Sequence, residues 1–141
     1  MPDSTDQIGE FVRSFVLPSR QDRWIEKLSN PRKRAKIVHR LAGLQDFEPD
    51  VVQAIPATVR CSTDVIDYVA ARLGVSDDAT VYVISELPAI DGSMMAIAEV
   101  IRSAFGLGLG TACIVVGLRI GYSEVESGRR FVLRRQSDWT G

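Results

Sequence analysis

Between Ser4 and Leu17 the apolar residues Ile8, Phe11, Val12, Phe15 and Val16 recur at intervals of three and four, the spacing of one helix face. Pro18 stops that pattern. A second short helix follows in "PSRQDRWIEKLSNP", with Trp24, Ile25 and Leu28 inward. Asn30 and Pro31, a favoured cap and a favoured first helical residue, open a third helix over about Pro31 to Leu44 that turns Ile37, Val38, Leu41 and Leu44 to one side. The segment from Asp46 to Arg60 reads as loop because of Pro49 and Pro56, although "VVQAI" also suits a short edge strand.

Ser62 or Thr63 caps a fourth helix with Val65, Ile66, Val69, Ala70 and Leu73 on one face, and Gly74 ends it. The β-branched and aromatic run "TVYVIS" is then a central strand. A fifth helix is predicted from Ser93 to Phe105, with Met94, Ile97, Ala98, Ile101 and Phe105 inward. From Thr111 the pattern is all β: "TACIVVG", "LRIGYSEV" and "RFVLRR", separated by Gly117 and the turn "ESGR". The expectation is a single α+β domain over residues 1–141, a helical part at 1–45 and a mixed part at 46–141. Its small, mostly antiparallel sheet has about four strands, ends in a β-meander and is covered by helices on at least one face.

Composition changes this picture little. The chain has 141 residues, enough for one core, with 17 basic and 18 acidic side chains and a net charge of −1. A whole-molecule positive field of the kind that binds nucleic acid generally is therefore excluded. Cys61 and Cys113 are too few for a disulfide framework and show no metal-ligand spacing with the single His39, so no metal and no cofactor is expected. No run is long enough to span a membrane, and the polar start "MPDSTDQIGE" does not look like a signal peptide, so the expected location is the cytoplasm.

Chemistry concentrates in a few places. "AFGLGLGTACIVVG" resembles a phosphate cradle, but its glycines follow a helix and precede a strand, and no lysine comes after Gly110. It reads as a junction, in which Gly108, Gly110 and Thr111 remain candidates to line a pocket. Glu86 and Asp91 flank the turn after the "TVYVIS" strand; two carboxylates there suit ligand binding, metal-assisted catalysis, or only a turn and a helix cap. The third helix is rich in basic residues at the end where they oppose the macrodipole. Its Arg32, Lys36, His39 and Arg40 form a surface for an anion or an acidic partner, unless Asp22, Glu26, Asp46 and Glu48 balance it. Arg130 and Arg134 suit an exposed basic edge, and Trp139 suits an anchor or a partner contact.

The segments "SRQDRWIEKLSNPRKRAKIVHRLAGL", "VYVISELPAIDG" and "GLGLGTACIVVGLRIGYSE" together resemble a family of small single-domain bacterial proteins known only as uncharacterised. The resemblance implies a bacterial cytosolic source and supplies no activity or site residue. The reading the sequence favours is a non-catalytic binding or regulatory module acting through protein contact or a small ligand. Two alternatives stay open: a nucleic-acid-interacting protein or small nuclease using the basic helix 31–44, and a metal-assisted enzyme using the strand-end carboxylates. Self-association also stays open.

Overall fold

The computed structural model describes residues 4–135. Trp139 and its proposed anchoring role lie outside the described residues. The described residues form five α-helices: α1 (Ser4–Phe15), α2 (Gln21–Leu28), α3 (Arg34–Val38), α4 (Ser62–Leu73) and α5 (Ile97–Ala104). They surround one sheet of six strands, β1 (Val52–Ala54), β2 (Thr80–Ser85), β3 (Met94–Ala96), β4 (Thr111–Val115), β5 (Gly121–Glu124) and β6 (Arg130–Leu133). The strand order is β1-β6-β5-β4-β2-β3 and every pairing is antiparallel.

Successive strand residues point to opposite faces, and here both faces are buried. Tyr82, Ile84, Ala112, Ile114, Phe131 and Leu133 pack with Phe11, Phe15, Trp24, Ile37 and Leu41 of the N-terminal helical layer. Val81, Val83, Cys113, Val115, Tyr122 and Val132 pack with Val65, Val69, Ile97 and Ile101 of α4 and α5. The result is three layers, with α1–α3 on one face and α4–α5 on the other. On the first face Phe11, Phe15, Trp24 and Phe47 form a ring cluster with centroids 5.3 to 6.5 Å apart.

The expected α+β class holds, but the sheet has six strands where about four are predicted. The extra strands are the two edges. Val52–Ala54 pairs with β6 through Val52 opposite Leu133, so the "VVQAI" segment is an edge strand. Met94–Ala96, predicted as the start of the fifth helix, pairs with β2 through Met95 opposite Val81, and the helix begins only at Ile97. Methionine and alanine favour helix locally, yet the unpaired edge of β2 offers backbone partners that decide the matter.

The third helix is also shorter than predicted. Asn30 Oδ1 accepts the Arg32 amide at 2.9 Å, residues 31–33 form turns, α3 covers five residues, and His39–Ala42 continues as 3₁₀ helix. Basic residues facing the helix N-terminus work against a longer regular helix there. At α4 the N-cap is Cys61, without a side-chain cap bond, while Gly74 closes the helix in the left-handed conformation at φ 69°.

Candidate functional site

The end of β2 gathers most of the candidate residues. After Ser85 the chain turns through Glu86–Gly92 and comes back as β3. Asp91 does not cap a helix. Its two oxygens accept Arg34 Nε at 2.7 Å and Nη2 at 2.9 Å, and Oδ1 also accepts the Ser85 amide at 3.0 Å. Arg34 in turn donates Nη1 to the Leu28 carbonyl at 3.1 Å and lies 5.9 Å from the centre of the Tyr82 ring. Burial works against the Arg34 charge, but its hydrogen bonds to Asp91 and the field of Tyr82 outweigh it and raise its pKa. Burial likewise raises the Tyr82 phenol above its ordinary value.

Glu86 holds the other side of the turn. Its amide donates to the Gly110 carbonyl at 2.8 Å, and its Oε1 accepts the Gly110 amide at 2.7 Å. Its Oε2 lies 3.1 Å from His39 Nδ1, whose ring is otherwise exposed. Ser85 Oγ meets Thr111 Oγ1 at 2.7 Å and accepts the Leu87 amide at 2.9 Å. Glu86, Asp91, Gly110 and Thr111 thus converge, and His39 joins them from the 3₁₀ continuation of α3. Between this turn and α3 opens a cleft of about 320 Å³ lined by Pro31, Arg34, Ala35, Val38, Ser85, Glu86, Pro88 and Asp91.

The remaining candidates go elsewhere. Gly108 takes a positive φ of 70° and faces the Glu126 carbonyl of the β5–β6 turn, and neither it nor Gly110 nor Thr111 lines this cleft, the last two reaching it only through Glu86 and Ser85. Gly106, at φ 73°, gives its amide to Glu124 Oε2 at 3.0 Å. Arg32 and Lys36 are exposed. Arg40 turns away from them to a bidentate pair with the buried Asp46, at 2.5 and 2.8 Å, while Trp24 Nε1 donates to the same carboxylate at 2.9 Å. Lys33 pairs with Glu26 at 3.1 Å. Part of the basic surface is therefore balanced by Asp46 and Glu26, as the sequence allows. Arg130 is not an exposed edge residue, because it is half-buried against Glu124 at 2.7 Å.

Glu124 is the functional-looking group that sequence reasoning missed. Fully buried, it accepts Arg130 Nε and the Gly106 amide and lies 3.4 Å from the Tyr122 hydroxyl. The signal was present: Glu124 alternates in phase with Tyr122 in a strand, and Arg130 lies across the "ESGR" hairpin. The register places Ser85 beside Thr111, Thr111 beside Glu124 and Glu124 beside Arg130. One polar row thus crosses the end of the sheet on its α4–α5 face.

Among the described residues, no three His, Cys, Asp or Glu side chains gather where they could hold a metal ion. No described helix is long and apolar enough to cross a membrane. Comparison of the chain with family models, curated proteins and solved structures gives no significant match. The site's ionisable groups form two pairs, Arg34 with Asp91 and His39 with Glu86, and each carboxylate already accepts a backbone amide. Such an arrangement holds a shape and offers acceptors.

Proposed function

We propose that the protein is a non-catalytic binding module whose cleft between α3 and the Glu86–Gly92 turn receives a cationic, hydrogen-bond-donating tip. The tip is an amine or guanidinium on an aliphatic stem, carried by a small ligand or a protein partner. The observation that carries this reading is that Glu86 and Asp91 share one cleft whose other walls include Pro31, Ala35, Val38 and Pro88. The apolar walls suit the stem. A carboxylate offers about four lone-pair sites, so both acids keep acceptor capacity beyond their present partners. Two carboxylates against the single arginine of the lining also leave the cleft electronegative.

The test is calorimetric titration of the full chain with agmatine and with butylamine. Saturable binding is expected, weakened about tenfold or more by Glu86→Gln, which keeps an acceptor for Gly110 and removes the charge. No saturable heat with either compound, or unchanged affinity in the variant, would overturn the reading.

A second reading, nucleic-acid contact, rests on Arg32 and Lys36, which are exposed and have no ion-pair partner among the described residues. If it holds, reversing both charges lowers affinity for single-stranded RNA and flattens its salt dependence. An unaltered affinity and salt slope would remove it.

A further inference from the structure

A second cavity, of about 520 Å³, opens on the α1–α3 face, where the β5–β6 hairpin meets the loop that follows the 3₁₀ continuation of α3. Its size falls within the range of small-molecule sites. Leu44, Phe47, Pro49, Val52, Val125 and Phe131 supply apolar walls. Of the described residues that line it, Arg129 alone is ionisable.

Side chains alternate along this stretch. Arg130 turns to Glu124 and Phe105 on the α4–α5 face, while Phe131 packs on the α1–α3 face and the Arg129 guanidinium lies over its ring at 5.1 Å. The Arg129 side chain is exposed, and no carboxylate pairs with it among the described residues. The acids beside the lining residues do not cancel its charge. Asp46 is taken by Arg40, Glu124 by Arg130, and Glu48 and Asp50 by Arg135, while Glu126 is exposed outside the lining. The walls are pinned by backbone. The Leu17 amide donates to the Asp46 carbonyl at 2.8 Å and the Glu48 amide to the Phe15 carbonyl at 2.9 Å, fixing the loop to the end of α1, and the Val125 amide donates to the Arg129 carbonyl at 3.0 Å across the hairpin. Leu44 is, among the described residues, the one non-glycine residue at positive φ, 53°, a strained backbone of the kind that accumulates at ligand sites.

A guanidinium held on an aromatic ring keeps its planar fork of N–H donors for the two oxygens of a partner. One such group balances one charge, which favours a carboxylate over a phosphate dianion, and the apolar walls favour an acid that brings an apolar body. We propose that this cavity binds an apolar monocarboxylate, its carboxylate taken by Arg129 and its hydrocarbon body laid between Leu44, Phe47, Val52 and Val125. The cavity shares no lining residue with the cleft between α3 and the Glu86–Gly92 turn, so this inference goes beyond the amine reading and stands or fails without it.

The test is calorimetric titration of the full chain with hydrocinnamate, octanoate, acetate and hydrocinnamyl alcohol. Saturable binding of hydrocinnamate or octanoate is expected, more than tenfold tighter than acetate, which lacks the body, and than the alcohol, which lacks the charge. Arg129→Gln weakens the bound acid at least tenfold, leaves the alcohol unchanged and keeps the melting temperature, since the guanidinium is exposed and has no ion pair to lose among the described residues. Leu44→Asn, a side chain that tolerates the left-handed backbone, removes part of the apolar wall and weakens the acid. Glu86→Gln, which acts on the other cleft, leaves acid binding unchanged. Absence of saturable binding by both acids, an affinity for acetate or the alcohol equal to theirs, insensitivity to Arg129→Gln, or loss of acid binding in Glu86→Gln overturns the inference.

Discussion

Asp46 is buried and yet carries a charge, because Arg40, Arg20 and Trp24 surround it. The Arg40 hydrogen bonds, opposed by burial and joined by Trp24, hold its carboxyl below the usual value of 3.8. A carboxyl whose folded pKa is depressed adds stability that is present above its unfolded value and lost as pH falls through the folded one. Asp46→Asn is therefore expected to cost about 2 kcal/mol at neutral pH, the scale of lost hydrogen bonds to a charged group, with the cost shrinking toward zero in acid. Urea denaturation at several pH values measures it, and a cost that stays constant into acid contradicts the assignment. Glu124 carries the opposite sign. Burial raises its pKa, and Arg130 only partly offsets this. The folded state thus holds its proton to higher pH, and the stability of the native chain relative to Glu124→Gln falls as pH rises above 4.5 through the raised value. A difference profile with no downward slope there would count against it. The cysteines divide just as clearly: Cys61 is exposed, while Cys113 is buried and its thiol is pushed up to about 12. A thiol reagent should label one cysteine in the native protein and the second only after unfolding. Rapid labelling of both in native buffer contradicts this.

At the scale of elements, long periodic segments were legible in the sequence, whereas one edge stood open between loop and strand and the other read as helix. α1 and α4 repeat their apolar faces over three turns, and β2 is apolar on both faces, so local pattern and tertiary burial agree. β1 and β3, three residues each, carry too little pattern to declare themselves, and only pairing with β6 and β2 makes them strands. The candidate site was legible in part for the same reason. Glu86, Asp91, Gly110 and Thr111 lie next to elements with clear patterns, whereas the partner of Asp91 is Arg34, 57 residues away, and no local spacing announces it. Gly121 marks how tightly the elements meet. A Cβ there would run into the Cys113 carbonyl oxygen of the neighbouring strand and lie 3.0 Å from its carbonyl carbon, with backbone that cannot swing aside. Gly121→Ala is expected to cost about 3 kcal/mol or more, at the upper end for overpacking, because β4 and β5 must separate. Gly128→Ala, with open space around it but φ 87°, is expected to cost only about 1 kcal/mol. Chemical denaturation of both variants checks the ranking, and equal losses would show that β4 and β5 do not approach as described.

The whole molecule is held by a sheet buried on both faces whose strands differ sharply in what surrounds them. β4 is buried along its full length and lies between β2 and β5, and β5 is buried along its full length between β4 and β6. β1 and β3 are outer strands with one neighbour each and exposed or half-buried residues. Opening a central strand requires stripping a helical layer from each face together with two ladders, which amounts to unfolding the chain. Opening an edge costs one short ladder. Amide exchange should reflect this, with β4 and β5 exchanging only through global unfolding and β3 through local opening at a much smaller free energy. β1 should fall between, because its ends are tied by the Arg134 amide to the Val51 carbonyl and by the Ile55 amide to the Arg130 carbonyl. The order β3, β1, then the centre bears on the proposed cleft. The cleft leans on the turn that leads into the weakest edge. An amine that closes on Glu86 and Asp91 should therefore slow exchange in β3 measurably and leave β1 unchanged. Equal exchange free energies in β3 and β4 without ligand would refute this hierarchy, whatever the ligands do.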